Sequence, residues 1–372
     1  MKKLLTILLP ALIFCTNAVI SQNPSKHNLK LHKIKLPKGF KIEVFATGIP
    51  DARSLEIGKD GIVFVGNRDK DKVYAVVDND GDFEADESYI IAEGLNMPNG
   101  VALYNNDLYV SEVSRILKFP DIYKNYKSRP DFEVIYNQYP TDHHHGWKYI
   151  DFGPDGKLYV PVGAPCNICD SEDPVYASIT RMNPDGSGVE IFAEGVRNTV
   201  GFDWHPETKE LWFTDNGRDY MGDNLPPDEL NYAPEKGLNY GYPYCHGNDI
   251  QDPEFGKNKD CDKYTKPVQE LGPHVAALGM LFYTGEMFPE KYKNQVFIAE
   301  HGSWNRSSKI GYRVMLVTLD GNEALEYKPF AKGWLQGESV WGRPVDVAQL
   351  PDGSLLVSDD YANTIYRISY EK

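Results

Sequence analysis

Apolar and polar residues alternate along short segments of this chain, and most of these segments follow a turn signal. Six of them are rich in β-branched and aromatic residues. They begin at Ile62, Leu108, Leu158, Leu211, Val296 and Leu355. Asp-Gly or Asn-Asp pairs precede most of them, which is typical of tight turns between strands. A second segment of the same character precedes each turn, so the pattern predicts six β-hairpins.

The hairpins recur at intervals typical of propeller blades. Neighbouring segments start 46 to 59 residues apart, except for a gap of 85 between Leu211 and Val296. A four-stranded propeller blade takes about 40–50 residues. We therefore predict an all-β fold, a six-bladed β-propeller, in preference to a β-sandwich. The long gap predicts a loop insertion around residues 215–270, a stretch rich in proline and glycine with little strand pattern.

The N-terminus has the features of an export signal. Residues 1–21 combine two lysines with an apolar run that is too short to span a bilayer. We expect a signal peptide there, a leader over 22–40 and the propeller over 41–372, in a periplasmic or secreted protein. Anchoring as a lipoprotein through Cys15 is the alternative, and the bulky Phe14 before it counts against that. No other segment predicts a transmembrane helix.

Charge and cysteine content narrow the function further. The formal net charge of −15 disfavours nucleic acid as a partner, because phosphate backbones repel an acidic protein. The four cysteines beyond the predicted signal predict two disulfides in an exported chain. We favour Cys166–Cys169 and Cys245–Cys261, since each pair closes a local loop. A zinc site built from the four is the alternative.

Two groups of residues are candidates for chemistry. His143, His144 and His145 are consecutive, and neighbouring strand residues point to opposite faces, so the three make a poor metal cage. One of them is better interpreted as a general base. Arg197 and Asn198 precede a predicted strand, where a buried arginine could grip a carboxylate or form a salt bridge between blades.

Acidic and basic loops follow later in the chain. Residues 215–231 are rich in carboxylates, glycine and proline, which suits either a calcium site or an ordinary acidic loop. Arg306, Lys309 and Arg343 add cations beside acidic turns. Blade repetition brings equivalent strand ends to one face, so these residues predict a pocket for an anionic ligand.

Five segments together resemble the pyrroloquinoline quinone (PQQ)-dependent sugar dehydrogenases, especially their sorbosone dehydrogenase-like and pyranose dehydrogenase-like branch. The segments are HGWKYIDFGPDGKLYVPVGAPCNIC, GVRNTVGFDWHPETKELWFTDNGRDYMGDNLPPDELN, GLNYGYPYCHG, EHGSWNRS and GRPVDV. The resemblance covers nearly the whole chain beyond the predicted signal. It implies a six-bladed propeller that binds PQQ and calcium and oxidises an aldose or related sugar. From the predicted export we expect a periplasmic cytochrome or quinone as the electron acceptor.

The resemblance also implies roles for individual residues. His145 matches the catalytic base, and Arg197 matches the residue that polarises the quinone oxygen. The residues implied to bind the cofactor are Asn99, on the substrate side, Arg197, Asn198, Arg343 and either Arg306 or Lys309. For calcium, the resemblance implies the backbone carbonyls of Gly217 and Arg218.

Two departures from the family pattern bear on the substrate. Val345 stands where glucose-oxidising members have a second arginine, and Arg306 and Lys309 compete for the place of a cofactor-binding lysine. Both departures argue against glucose as the substrate more than against PQQ as the cofactor. The alternatives to a dehydrogenase are a calcium-dependent propeller lactonase or related hydrolase, and a non-catalytic carbohydrate-binding propeller.

Overall fold

The computed structural model describes residues 29–371, and β-strands dominate it. The predicted signal peptide, Cys15 and the leader up to residue 28 lie outside the described residues. Six sheets of four or five strands form a six-bladed β-propeller, as predicted. The innermost strands of neighbouring blades contact one another, which places them around the axis of the ring. None of the helices within 29–371 has the length and apolar character needed to cross a bilayer.

The strands of each blade run from the axis outward. Blade 1 contains Leu55–Ile57, Ile62–Val65, Val73–Val77 and Glu87–Ala92. Blade 2 contains Val101–Tyr104, Asp107–Ser111, Ile116–Phe119 and Glu133–Tyr136. Blade 3 contains Asp151–Phe152, Leu158–Val162, Ser178–Met182, Glu190–Glu194 and Leu238–Asn239. Blade 4 contains Phe202–Trp204, Leu211–Asp215, Pro227–Ala233 and Gln269–Pro273. Blade 5 contains Ala277–Phe282, Val296–Glu300, Arg313–Asp320 and Glu323–Lys332. Blade 6 contains Pro344–Gln349, Leu355–Asp359, Thr364–Tyr370 and Phe40–Thr47.

Short elements complete the chain between the blades. Two small hairpins pair Cys245–His246 with Ile250–Gln251 and Leu335–Gln336 with Ser339–Val340. One α-helical turn, Ile122–Asn125, and 3-10 turns at Leu31–Lys33, Cys261–Lys263 and Glu290–Tyr292 are the helices of the described chain.

The six predicted hairpins are confirmed as the two inner strands of each blade, paired antiparallel. In blade 1, for example, Leu55 pairs with Val65 and Ile57 with Val63. Residues 62–65 are buried along their whole length, because each blade packs between two neighbours. A strand buried on both faces is a continuous apolar run, so the β-branched and aromatic residues and the preceding turns mark these segments better than alternation does.

The predicted loop insertion is narrower than the 215–270 expected from sequence. Pro227–Ala233 is the third strand of blade 4, and Gln269–Pro273 is its fourth. The first of these strands begins with proline and two carboxylates, Asp228 and Glu229, which hid its β character. The insertion therefore falls between residues 234 and 268. The two predicted disulfides are confirmed, and Cys245–Cys261 closes a loop within this insertion.

The first strand of the fold closes the ring. Phe40–Thr47 is the outermost strand of blade 6 and pairs antiparallel with Thr364–Tyr370, from Phe40 opposite Tyr370 to Thr47 opposite Thr364. Blade 6 is thus assembled from both ends of the described chain, so its hydrogen bonds hold the ring shut.

Equivalent positions of the innermost strands carry polar residues that converge near the axis. One such position holds carboxylates in four blades: Glu56, Asp151, Asp203 and Asp346. Asp346 accepts a hydrogen bond from the Leu55 amide of blade 1 (2.9 Å), and Asp203 accepts one from the Phe282 amide of blade 5 (2.7 Å). The Asp346 and Asp203 carboxylates therefore tie neighbouring blades together.

The position three residues earlier holds a long or polar side chain in the same way. It is Arg53 in blade 1, Asn99 in blade 2, Lys148 in blade 3 and Arg343 in blade 6. Because the repeat places these residues at the same height around the axis, they surround one end of the ring, where the candidate site lies.

Candidate active site

A cavity of about 390 Å³ lies where the loops leading into the innermost strands converge. Four guanidinium groups reach its lining, from Arg53, Arg68, Arg197 and Arg343. The protein as a whole carries a formal charge of −15, so this concentration of cations is local. Guanidinium groups bind carboxylates through paired hydrogen bonds, and the lining is therefore suited to an anionic ligand.

His145 lies in this cavity lining in a defined protonation state. Its Nδ1 is 2.9 Å from the carbonyl oxygen of Ala164. A carbonyl oxygen only accepts, so Nδ1 carries the hydrogen and Nε2 keeps its lone pair. Burial, together with the neighbouring Arg197 and His144, holds the His145 pKa well below its ordinary value of 6.5. The imidazole is thus neutral near pH 7 and able to accept a proton.

The backbone around His145 leaves no space for a side chain at position 163. His145 has a φ of 50°, in the left-handed region that few non-glycine residues adopt. A Cβ atom added at Gly163 would lie 2.5 Å from the His145 Cβ. Glycine at position 163 is therefore needed for this placement of the imidazole.

Only one member of the histidine triplet lines the cavity. His143 Nε2 lies 3.4 Å from the Asn96 amide near the surface, and His144 is exposed beside His145. The sequence argument that the triplet is no metal cage agrees with this arrangement.

Arg197 lies in the lining with its guanidinium group fixed by backbone oxygens. Nε donates to the carbonyl of Asn167 (2.8 Å), and Nη1 donates to the carbonyl of Asn216 (2.9 Å). Nη2 donates to the Asn167 side chain (2.9 Å). Asn167 lies inside the loop closed by Cys166–Cys169, so this disulfide loop determines where Arg197 points.

Asn198 lies beside Arg197, and the two share an anchor. Both backbone amides donate to the Asp215 carboxylate, at 2.8 Å from Arg197 and 2.6 Å from Asn198. Burial raises the pKa of Asp215 to about 7. The Asn198 side chain lines the cavity and makes no hydrogen bond to any residue between 29 and 371. Its donor and acceptor are thus available to a ligand.

Asp360 links two guanidinium groups and one imidazole beneath the cavity. It accepts from Arg53 Nη1 (2.8 Å), His301 Nε2 (2.9 Å) and Arg343 Nε (3.1 Å). Burial by itself would raise the Asp360 pKa, but His301, Arg53 and Arg343 outweigh it and lower the pKa. The carboxylate therefore stays ionised and orients all three partners.

The structure does not bring Asn99 to the cavity surface, where the resemblance implied it. Asn99 is fully buried beneath Arg53, whose Nε donates to the Asn99 side-chain oxygen (2.7 Å). The Asn99 amide nitrogen donates to the Ser54 hydroxyl and to the Lys148 carbonyl (3.1 Å each). These bonds occupy the Asn99 side chain, so it acts on the cavity only through Arg53.

Arg306 and Lys309 also lie outside the cavity lining. Arg306 donates to the carbonyl oxygens of Asp223 and Ser308. The Lys309 ammonium donates to the carbonyl of Glu338 (2.7 Å) at the surface. The loop carrying both residues folds towards Asp223, and Trp304 from the same loop contributes to the lining instead.

Gly217 lies in the cavity lining, whereas Arg218 does not. The Gly217 amide donates to Asp228 (3.0 Å), another lining residue whose pKa burial raises to about 7. The Arg218 side chain pairs with Asp252 (2.6 Å) and Glu254 (3.4 Å) away from the lining. Within residues 29–371, no hydrogen bond ends on the carbonyl oxygen of Gly217 or of Arg218.

Several lining residues were not predicted from the sequence. They are Arg53, Arg68, Trp147, His274, His301 and Trp304. A signal existed for Arg53, because RSLEI in blade 1 repeats GRPVDV in blade 6 and places Arg53 where Arg343 lies. Arg68 and His301 follow the second strands of blades 1 and 5, at the strand ends that blade repetition brings to one face. Trp147, His274 and Trp304 come from loops whose course no local pattern determines.

Comparison with known proteins supports the sugar dehydrogenase resemblance. The family model described as glucose/sorbosone dehydrogenase matches residues 118–367. An uncharacterized protein of Borreliella burgdorferi is 38% identical over 354 residues, which cover 91% of each chain. A PQQ-dependent pyranose dehydrogenase of Coprinopsis cinerea is 29% identical over 124 residues, covering 28% of this chain and 16% of the relative.

Solved structures share the fold at low sequence identity. A Trichoderma reesei carbohydrate-active enzyme of family AA12 superimposes with a TM-score of 0.79 at 18% identity, covering 91% of this chain and 98% of the other. The PQQ-bound aldose sugar dehydrogenase of Streptomyces coelicolor gives 0.66 at 21% identity, covering 91% and 100%.

Proposed function

The chain belongs to the glucose/sorbosone dehydrogenase family, and on that premise we propose that it oxidises an aldose or related sugar with PQQ and calcium. The observation that carries the proposal is the pairing, in one cavity, of a neutral histidine with four guanidinium groups. The histidine provides a base, and the guanidinium groups provide binding for an anion.

The residues of the cavity fit PQQ, which carries three carboxylates and an ortho-quinone. Arg197, Arg343 and Arg53 supply charge, and the free amide of Asn198 supplies a donor and an acceptor. A neutral lactone would need no such set of cations, so the lactonase alternative has less support. When bound, PQQ would supply the acceptor for the two electrons and the hydrogen removed from the sugar.

His145 would supply the base for this oxidation. Nε2 accepts the proton of a sugar hydroxyl, while Nδ1 remains bonded to Ala164 and keeps the ring from turning. Because the imidazole is neutral before reaction, no proton has to leave it first. Positioned general bases contribute about 10²–10⁴-fold to rate.

Calcium would be held on the Gly217 side of the cavity. The carbonyl oxygens of Gly217 and Arg218 and the carboxylate of Asp228 are hard oxygen ligands of the kind that calcium prefers. A bound cation would also favour the ionised form of Asp228, which burial alone disfavours. A calcium ion held there would supply a Lewis acid on the same side of the cavity as Arg197.

We propose that residues 1–21 are a signal peptide and that the protein works in the periplasm or outside the cell. The two disulfides support this, because such bonds persist in oxidising compartments. A periplasmic cytochrome or quinone would then accept the electrons.

The test is a titration of the purified protein with PQQ, with calcium present or chelated by EDTA. Binding is followed by absorbance, and turnover by reduction of an artificial dye with a panel of aldoses. We expect saturable, calcium-dependent binding and sugar-dependent dye reduction. A folded protein that binds no PQQ in the presence of calcium would overturn the proposal, and hydrolysis of lactones by that protein would favour the hydrolase.

A further inference from the structure

Two exposed aromatic rings lie at the edge of the cavity, and the cavity chemistry does not use them. Trp304 lines the cavity yet is 70% exposed, and Tyr220 is 69% exposed. Their ring centres are 6.0 Å apart at an interplanar angle of 85°. The other five tryptophans of the chain are buried or half-buried. Apolar surface kept in water beside a cavity is typical of a binding surface.

The two rings belong to different blades, and polar contacts hold their loops together. Tyr220 follows the second strand of blade 4, and Trp304 follows the second strand of blade 5. The Asp223 carboxylate accepts from the Ser307 amide (2.9 Å) and hydroxyl, and the Asp223 carbonyl accepts from Arg306. The loops that carry the two rings are therefore held together before any ligand arrives, which lowers the entropy lost on binding.

We propose that Tyr220 and Trp304 form a stacking subsite for the second ring of a glycosidically linked saccharide, whose reducing-end sugar lies in the cavity. This inference rests on the proposed function and names its substrate class, reducing disaccharides and longer oligosaccharides. The C–H face of a pyranose carries slightly positive hydrogens, and the face of an aromatic ring is negative. Trp304 belongs both to the cavity lining and to the exposed surface, so the two sugar positions are continuous.

The charge distribution agrees with an inner position in the cavity and an outer position on the two aromatic rings. The guanidinium groups lie inside the cavity, where an anion would bind, whereas the two outer rings are uncharged. A neutral, partly apolar ligand fits the outer position better than a second anion does.

The first experiment compares kcat/KM for cellobiose, maltose and lactose with that for glucose and galactose, using the PQQ- and calcium-loaded protein. We expect a disaccharide to be the better substrate. Tyr220→Ala should lower the ratio of disaccharide to monosaccharide kcat/KM by about 3–10-fold, the usual strength of one aromatic contact. Tyr220→Phe should preserve the ratio, because it keeps the ring.

Leu325→Ala is the matched control. Leu325 is 63% exposed on the outermost strand of blade 5, so its removal changes exposed apolar area away from the cavity. The ratio should not change in this variant. An equal ratio in the wild type and in Tyr220→Ala would overturn the proposed subsite, while the oxidation of monosaccharides would leave the proposed function standing.

A second experiment separates the two proposals. Cofactor-free protein is titrated with cellotetraose and maltotetraose, and tryptophan fluorescence and calorimetry report binding. Binding that Tyr220→Ala weakens would support the subsite even if the loaded protein oxidised no sugar. The proposed subsite would be ruled out if no tetrasaccharide bound and if Tyr220→Ala left the ratio of disaccharide to monosaccharide kcat/KM unchanged.

Discussion

The imidazole of His145 donates through Nδ1 to the carbonyl oxygen of Ala164 at 2.9 Å, which leaves Nε2 as its only free basic atom. Ala164 directly follows Gly163, the residue whose lack of a side chain makes room for His145. One short segment after the second strand of blade 3 therefore sets both the position and the tautomer of the proposed base.

Replacing His145 by alanine should reduce kcat by about 10²–10⁴-fold, because the base is lost. PQQ affinity should change little, since the guanidinium groups remain. Dye reduction measures the first quantity and absorbance titration the second. His143→Ala is the control, because His143 lies outside the cavity, and it should keep near wild-type turnover. Near-normal activity of His145→Ala would contradict the proposed role.

Removing the Cys166–Cys169 disulfide by a double serine substitution should weaken PQQ binding by about tenfold, or ~1.4 kcal/mol. The loop it closes carries Asn167, which accepts two hydrogen bonds from Arg197. The matched control removes Cys245–Cys261 in the same way and should lower thermal stability with a smaller effect on affinity. Equal losses of affinity in both variants would show that Arg197 does not depend on the loop.

Asp360→Asn should destabilise the protein by about 3–5 kcal/mol, the usual cost of breaking a buried ion pair. Arg53 is almost fully buried and would keep its charge without its carboxylate partner. Chemical denaturation measures the loss. Asp69→Asn removes an exposed partner of Arg68 and should cost about 0–1 kcal/mol. A small effect of Asp360→Asn would mean that Arg53 has other compensation.

Stability should depend on pH through the carboxylates near the axis. Burial raises the pKa of Asp346 from 3.8 to about 7, with Glu56, Asp151 and Asp203 as its acidic counterparts in other blades. At pH values between 3.8 and about 7, Asp346 holds a proton in the folded protein that it releases in the unfolded chain. The stability contributed at low pH is therefore lost as pH rises through this window.

Asp346→Asn should remove part of this dependence. The free energy of unfolding of the wild type, minus that of the variant, should fall by on the order of 2–4 kcal/mol between pH 4 and pH 8. Denaturant midpoints across this range measure it. Asp131→Asn, at an exposed position, should show no such trend. A difference that rises with pH would contradict the sign.

The sequence predicted what local pattern determines. The hairpins were predictable because a buried strand must be apolar wherever it lies in the ring, and Arg197 and Arg343 could be placed because each lies close to such a strand. Only the family resemblance singled out His145 from the histidine triplet. Arg306 could not, since the course of its loop depends on Asp223, 83 residues away in the chain. Asn99 lies on the expected end of the ring, but its bond to Arg53 in another blade determines that it stays buried.

The strand beginning at Pro227 shows a different limit. Its carboxylates, Asp228 and Glu229, are buried and hydrogen-bonded to backbone amides, so the strand tolerates residues that normally indicate a loop. Buried carboxylates such as Asp228 and Glu229 therefore hide the pattern of apolar residues by which a strand is recognised in a sequence.

The closure of blade 6 by Phe40–Thr47 has a consequence for folding during synthesis of the chain on the ribosome. The sixth blade needs both Phe40–Thr47 and Thr364–Tyr370, so it can be completed only after its last strand has been synthesised. The bond between Arg53 and Asp360 spans 307 residues and joins blade 1 to the end of blade 6. A chain that ends before Asp360 therefore lacks the carboxylate that links Arg53, His301 and Arg343 beneath the cavity.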